Sequence, residues 1–196
     1  MKAIFILILV LATPNLNLFS QYSYTEYKKT RQIYIENFKN KGGKVRIEAG
    51  NIEPNRYIES FAFPENINFE IEGELENINA TQNKHGIAGI YFGYYAFCIN
   101  SKSEFSIMVD GEGIYSTFNF TQSDKIKKGK NKLTLRRISD TYYFFINETF
   151  VYQTKDVSVL DILEEGVLGF LAMHNTSLYA YKLEVNHIES IYSATR

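Results

Sequence analysis

The chain has 196 residues, a formal net charge of −1, one cysteine, and aromatic side chains that are all Phe or Tyr. A nearly neutral chain generates no long-range field that would draw it to nucleic acid or to an acidic membrane, so we expect neither partner. A single cysteine excludes an internal disulfide, so stability must come from packing. The length suits one domain with a large core.

Residues 1–20, MKAIFILILVLATPNLNLFS, have the layout of a cleavable secretory signal peptide. A positive residue precedes an apolar run over 3–12, and a polar stretch then ends in the small Ser20. This run is too short to span a membrane, which takes ~20 apolar residues. We therefore predict cleavage near Ser20–Gln21, a secreted or periplasmic protein, and a single mature domain over 21–196.

Beyond residue 44 the sequence consists of short segments rich in β-branched and aromatic residues, separated by turn signals such as GN, PEN and DGEG. The predicted strands are 45–50, 56–63, 67–78, 87–93, 95–100, 105–110, 114–120, 132–138, 141–147, 149–155, 167–174 and 177–185. This rhythm predicts an all-β fold, an antiparallel sandwich of two sheets with about 11–13 strands. Upstream of these strands, 25–38 fits either a helix or an extended lead-in strand.

The stretch YFGYYAFCIN, residues 91–100, combines five aromatic side chains with the cysteine. We predict that Phe92, Phe97 and Ile99 lie in the core between the two sheets. Cys98 is then a small buried hydrophobe.

The order of these segments along the chain is also informative about the fold. It runs from NFEIEGEL through GIAGIYFG, YYAFCIN and FSIMVDGEGIYS to IKKGKNKLTLRR, TYYFFINETFV, GVLGFLA and LYAYKLEV. This order resembles the concanavalin A-like lectin/glucanase superfamily, close to its laminin-G-like members in secreted bacterial proteins, over roughly residues 45–186. The resemblance implies a jelly-roll sandwich whose ligands lie on the concave sheet or on its rim. Sugar binding is the commonest role in that superfamily, and some members are glycoside hydrolases or polysaccharide lyases.

One hairpin departs from the family pattern. Its turn is usually Asn-Gly, and here it is Asn147-Glu148. Because Glu tolerates a left-handed backbone poorly, we predict a loop longer than two residues.

The strand EIEGELE contains the strongest candidates for catalytic residues. Its alternating carboxylates resemble the acidic strand motif of retaining glycosidases in this superfamily, which makes Glu70 and Glu74 the candidate pair. Three features oppose catalysis: Glu72 stands where the motif has Asp, Gly73 replaces an apolar core residue, and the chain has no Trp to stack on sugars. The alternative is a solvated outer strand face, so we predict a domain without a catalytic site.

The fifteen tyrosines favour ligand binding, because aromatic faces beside polar groups commonly bind sugars. The predicted ligand contacts are Tyr91, Tyr94, Tyr142, His174 and Asn175. The predicted function is lectin-like binding of a polysaccharide through an aromatic sheet face. The alternatives are a hydrolase or lyase of the same fold, or a structural or adhesion module that binds protein.

Metal and anion sites have weaker signals. The three histidines, His85, His174 and His187, lie far apart, so we predict no zinc site and no required cofactor. Calcium ligands, if present, would come from Asp110, Glu112, Asp124, Asp156, Asp161, Glu164 and Glu165. A basic cluster comprises Lys125, Lys127, Lys128, Lys130, Lys132, Arg136 and Arg137. We interpret it as a solvated loop and strand start, with an acidic polysaccharide site as the alternative.

Overall fold

A computed structural model describes residues 26–50, 54–61, 67–78, 86–93, 95–111, 114–117, 120–155 and 167–191. The signal-peptide prediction lies outside these residues. They contain fourteen strands and one short 3-10 turn, Lys39–Lys41. The strands are β1 Tyr27–Glu36, β2 Val45–Glu48, β3 Asn55–Ser60, β4 Phe69–Asn77, β5 Ile87–Phe92, β6 Tyr95–Asn100, β7 Glu104–Gly111, β8 Ile114–Thr117, β9 Thr121–Gln122, β10 Lys130–Ile138, β11 Thr141–Ile146, β12 Thr149–Thr154, β13 Val167–Met173 and β14 Ser177–Ser190. None of the helical structure in this described part is long and apolar enough to cross a membrane.

The strands form two antiparallel sheets, which confirms the predicted all-β sandwich. Sheet A has the order β1-β14-β4-β10-β11-β12, and β2 also pairs with β14. Sheet B has the order β3-β13-β5-β6-β7-β8, and β9 also pairs with β7. The long strand β14 holds β2 along its first residues and β1 along its later ones, so residues 27–36 are a strand and not a helix.

The core lies between the sheets and is built by the inward side chains of both. Its fully buried members include Ile71, Leu75, Leu133, Leu135 and Ile146 from sheet A, and Ile90 and Phe170 from sheet B. The rings of Phe97 and Phe144 meet edge to face across the two sheets, with centroids 5.2 Å apart. Each such buried apolar side chain contributes about 1.5–3 kcal/mol, so this layer supplies the main stabilisation.

The residues of YFGYYAFCIN that were predicted to be buried are buried. Phe92, Phe97 and Ile99 are buried in the core between the sheets. Cys98 is also buried, in a separate apolar cluster on the other face of sheet B. Alternation along β6 thus sends neighbouring side chains into two different apolar layers.

At Gly73, strand β4 leaves no room for a side chain on the side that faces sheet B. A Cβ atom added there would lie 2.2 Å from Cγ2 of Ile90 and 3.2 Å from a ring carbon of Phe170. The glycine therefore makes room for the packing of sheet B, and its position in the acidic strand has a steric cause.

The predicted long loop at Asn147-Glu148 is wrong. Strand β11 ends at Ile146 and β12 begins at Thr149, so the turn has two residues. Both lie in the left-handed region, with φ of 49° at Asn147 and 69° at Glu148. The Asn147 side chain holds the turn, because its Nδ2 donates to the Lys125 carbonyl at 2.7 Å and its Oδ1 accepts from the Lys132 backbone N–H at 3.0 Å.

Candidate functional site

The outer face of sheet A carries most of the charged side chains that the strands bring together. In β4, Phe69, Ile71 and Leu75 point into the core, so the intervening glutamates point outward. Directly paired residues share a face, so the register extends this surface to the neighbouring strands. Its charged members on other strands include Lys182 and Glu184 of β14 and Lys132 and Arg136 of β10.

Glu70 is the most deeply buried of these carboxylates, with 1% of its surface exposed. Its Oε2 accepts hydrogen bonds from Nε of Arg136 at 2.9 Å and from Nη2 of the same guanidinium. The interpretation of the ladder as a solvated face is therefore wrong at Glu70. A buried carboxylate is tolerated only when it is paired, and Arg136 pairs it from the adjacent strand.

Lys29 of the edge strand β1 reaches over three of the carboxylates. Its Nζ lies 3.1 Å from Oε1 of Glu70, 2.5 Å from Oε2 of Glu72 and 3.0 Å from Oε1 of Glu184. Burial disfavours the charged amine, but hydrogen bonds to Glu72 and Glu184 and the charge of Glu70 outweigh it and raise the pKa of Lys29. The ammonium therefore stays charged and joins three strands electrostatically.

Glu72 and Glu184 are directly opposite residues on β4 and β14. Burial raises the pKa of Glu72, and a hydrogen bond with Glu184 and the charge of Glu70 raise it further. Burial also opposes ionisation of Glu184, but hydrogen bonds with Glu72, Lys182 and Lys29 lower its pKa overall. When acid adds one proton to this pair, Glu72 therefore takes it before Glu184 does.

A groove of about 400 Å³ opens on this face, and we name it the charged groove. It is lined by Lys29, Glu70, Glu72, Lys132, Thr134, Arg136, Phe145 and Glu148. On its rim, Nζ of Lys132 lies 2.8 Å from Oε1 of Glu148 and 3.2 Å from Oε1 of Glu72. In its floor, the Arg136 guanidinium lies 5.3 Å from the centre of the Phe145 ring.

Two tyrosines near the start of β14 extend the same face. Tyr179 and Tyr181 meet edge to face with ring centroids 6.5 Å apart. The ammonium of Lys44 lies 3.7 Å from the centre of the Tyr179 ring, and that of Lys130 lies 3.9 Å from the Tyr181 ring. Both rings are only partly buried, so they form an aromatic shelf beside the charged groove.

Two of the predicted ligand contacts are buried. Tyr142 has no exposed surface, because it points into the core from β11, and burial raises its pKa to about 12. Tyr91 is 4% exposed in the apolar cluster on sheet B, with the Arg56 guanidinium 5.0 Å from its ring centre. Because neither ring is exposed on the surface, the structure gives no support to these two predicted contacts.

The remaining predicted contacts lie elsewhere. Tyr94 is outside the described residues. His174 and Asn175 are exposed in the turn between β13 and β14, both with a left-handed backbone. They belong to a turn at the end of sheet B and are not among the residues that line the charged groove.

The candidate catalytic pair is widely separated. Glu70 and Glu74 are four residues apart on one strand, which is about 13 Å at ~3.3 Å per residue. The carboxylates of glycosidases are about 5–5.5 Å apart in retaining enzymes and about 6.5–9.5 Å apart in inverting ones. Glu74 is also paired with Lys130, at 3.2 Å. This geometry does not support hydrolysis by the pair.

The calcium and anion alternatives gain little from the structure. Among the carboxylates considered for calcium, only the side chain of Asp124 is described, and it pairs with Lys125 at 2.8 Å. Within the described ranges, three or more His, Cys, Asp or Glu side chains nowhere form a group that could hold a metal ion. In the basic cluster, Lys130, Lys132 and Arg136 are each paired with a glutamate.

Of the cations in the charged groove, Lys29 has no signal of its own in the sequence, and Arg136 stands out only as a member of the basic cluster. Lys29 and Arg136 reach carboxylates that are 41 to 155 residues away along the chain. Their roles follow from strand order, which places β1 and β10 on the two sides of β14 and β4. The available signal was the outward alternation of the glutamates on β4, which favours cations opposite them on the neighbouring strands.

Comparisons with known proteins identify the fold. No protein-family model matches the sequence, and no curated protein sequence is detectably similar to it. Among solved structures, the carbohydrate recognition domain of Emp47p matches with a TM-score of 0.52 at 8% identity, covering 83% of this chain and 88% of that one. The CBM2 module of the evolved Dit of Lactobacillus casei BL23 phage J-1 matches with a TM-score of 0.50 at 12% identity, covering 84% and 98%.

The GH43 protein BlXynB from Bacillus licheniformis also matches, with a TM-score of 0.53 at 12% identity. The match covers 74% of this chain but 33% of BlXynB, so the chain spans about a third of that enzyme. At such identities the similarity shows the fold alone. The chain has the antiparallel β-sandwich fold found in lectin-like and carbohydrate-binding domains, consistent with the predicted concanavalin A-like class.

Proposed function

We propose that this chain is a secreted, non-catalytic domain that binds a polysaccharide on the outer face of sheet A. Secretion is supported by the signal-peptide pattern of residues 1–20. The observation that carries the binding proposal is the charged groove. It has a volume of about 400 Å³ and is lined by both cations and carboxylates.

Such an alternating surface suits hydroxyl groups. A sugar hydroxyl both donates and accepts hydrogen bonds, so it can bridge a carboxylate and an ammonium group. Three cations line the charged groove, Lys29, Lys132 and Arg136, and three carboxylates balance them. The local charge is therefore close to zero, which favours a neutral, hydroxyl-rich ligand over an ionic one.

The aromatic shelf supplies the apolar contact that sugars also need. Tyr181 is positioned by its hydroxyl, which donates to Oε2 of Glu76 at 2.5 Å. A pyranose ring that leaves the charged groove along β14 would pass over Tyr181 and Tyr179. The aromatic part of the site thus lies on sheet A, at residues other than those the sequence suggested.

The hydrolase alternative has less support than binding. Glu70 is held by Arg136 and Lys29, and Glu72 is held by Lys29 and Lys132, so both are engaged as structural ion pairs. A nucleophile or a general acid needs access to the scissile bond. We therefore retain non-catalytic binding as the proposed function. The adhesion alternative predicts a flat surface, whereas this face is grooved.

The direct test is a glycan array probed with purified residues 21–196, followed by titration calorimetry on any retained glycan. We expect binding of a neutral polysaccharide. Lys132→Met should weaken it by roughly tenfold or more, because Lys132 lines the charged groove.

The matched control is Arg46→Met, which removes a cation from the outer face of the same sheet. Arg46 is 52% exposed and pairs with Glu48 outside the charged groove. It should bind like the wild type. Absence of retention on every glycan would refute the proposed function, and equal losses in both variants would refute the location of the site.

A further inference from the structure

The turn residue Glu148 has an unfavourable backbone. The two-residue turn between β11 and β12 has both central residues in the left-handed region. Asn147 suits this conformation, but the second position of such a turn normally holds glycine. A glutamate at φ 69° meets a steric cost from its Cβ atom that glycine would not.

The contact that Glu148 makes does not account for this cost. Its side chain is 79% exposed and pairs with Lys132 at 2.8 Å. Exposed ion pairs of this kind contribute little to stability. A residue that strains the backbone for a weak contact is a candidate for function.

The carboxylate is placed among cations at the mouth of the charged groove. Lys132, Lys127 and Lys29 lower the pKa of Glu148, chiefly through the hydrogen bond from Lys132. Without Glu148, the lining would hold three cations and two carboxylates, Glu70 and Glu72. With it, the charges balance. Glu148 is therefore the residue that changes this groove from net positive to neutral.

We propose that Glu148 is a specificity-determining residue that excludes anionic saccharides from the charged groove, at the expense of backbone strain. This inference rests on the proposed function, because it assigns the saccharide class that the same site accepts. Like-charge repulsion acts against uronates and sulfated sugars, whereas a neutral hydroxyl can still bridge Glu148 and Lys132.

The test uses Glu148→Gln, which removes the charge and keeps the strained side chain, and Glu148→Gly, which removes both. The probes are polygalacturonate as the polyanion and the neutral glycans of the array. We expect both variants to bind polygalacturonate roughly tenfold more tightly than the wild type, with a gain that disappears at high salt. Asp140→Asn is the matched control, since Asp140 is exposed in the turn at the other end of β11.

Thermal unfolding tests the strain separately. Glu148→Gly should raise Tm by about 2–4 °C, because glycine relieves the left-handed backbone, whereas Glu148→Gln should unfold close to the wild type. A lower Tm for Glu148→Gly would overturn the strain argument.

Equal polygalacturonate binding by the wild type and both variants, or the same gain in Asp140→Asn, would overturn the selectivity argument. A wild type that binds no neutral glycan in any assay removes the proposed function, whereas the polygalacturonate comparison still decides what Glu148 does.

Discussion

Glu72 and Glu184 show how one pair of residues responds to pH in opposite directions. The folded chain holds the proton of Glu72 more tightly than the unfolded chain does, because its pKa is raised from the ordinary 4.5. Its contribution to stability is therefore present below pH 4.5 and falls as the pH rises towards the raised value. The lowered pKa of Glu184 gives a contribution that is present above its ordinary pKa and is lost in acid.

Replacing Glu72 by Gln removes the carboxyl group whose ionisation destabilises the folded chain. We expect the Tm of Glu72→Gln, relative to the wild type, to rise as the pH increases above 4.5. Differential scanning calorimetry over this pH range measures the difference. Glu48→Gln, at an exposed position of β2, is the control and should follow the wild type. A difference between Glu72→Gln and the wild type that does not change with pH would contradict the assignment.

For single residues, the sequence predicts which face of a strand a side chain lies on. It predicts less well which side chains surround that residue and how deeply it is buried. Alternation correctly placed the β4 glutamates on the face opposite Ile71 and Leu75. It did not show that Glu70 would be buried, because Arg136 and Lys29 cover it from distant parts of the chain. Similarly, the aromatic content of β11 did not show that Tyr142 points into the core.

Strand β1 is attached to its sheet partly by charge. Most of its residues are exposed, and its pairing with β14 is interrupted by two irregularities, on either side of the segment Arg31–Gln32. Lys29 joins it to β4 and β14 through three carboxylates. The attachment of this edge strand is therefore electrostatic as well as hydrogen-bonded.

We expect Lys29→Met to destabilise the protein by about 1–3 kcal/mol, below the cost of breaking a fully buried pair because the lysine side chain is 41% exposed. Amide hydrogen exchange should accelerate most within β1. Denaturant unfolding and exchange mass spectrometry measure the two effects. The control is Lys28→Met, on the same strand at an exposed position, which should change neither. Unaltered exchange in β1 of Lys29→Met would refute this role.

Element type was predictable from the sequence wherever β-branched and aromatic residues recur between turn signals. Strand β1 was ambiguous because its polar residues carry little periodicity. The turn at Asn147-Glu148 was mispredicted because the propensity of Glu was weighed alone. The Asn147 side chain fixes the short turn, because it donates to the Lys125 carbonyl and accepts from the Lys132 backbone N–H. These partners lie in the loop before β10 and in β10 itself, so local propensity does not include them.

For the molecule as a whole, Cys98 reports on global unfolding. It is fully buried at the centre of sheet B, and burial raises the pKa of its thiol. A buried neutral thiol reacts slowly with disulfide reagents. We expect DTNB to label the native protein only as fast as it unfolds, and to label one thiol per chain at once in guanidinium chloride. Immediate stoichiometric labelling under native conditions would contradict the burial.

The two-sheet architecture was the most predictable feature, because hydrophobic alternation, turn spacing and length all indicate it. The pairing order of the strands was not, since it joins segments such as β4 and β14 that lie more than a hundred residues apart. The charged groove depends on that order, which explains why the sequence did not show that these residues lie together, although it predicted the fold.

The pairing of β1 with β14 also has a mechanical consequence. Tyr27, at the start of β1, is the register partner of Ser190, at the end of β14. The chain therefore enters and leaves the described fold at neighbouring points. A pulling force applied between these points would load the hydrogen bonds between the two strands one after another and not all together. The domain would therefore peel open from this corner at low tension, with β1 as the first strand to detach.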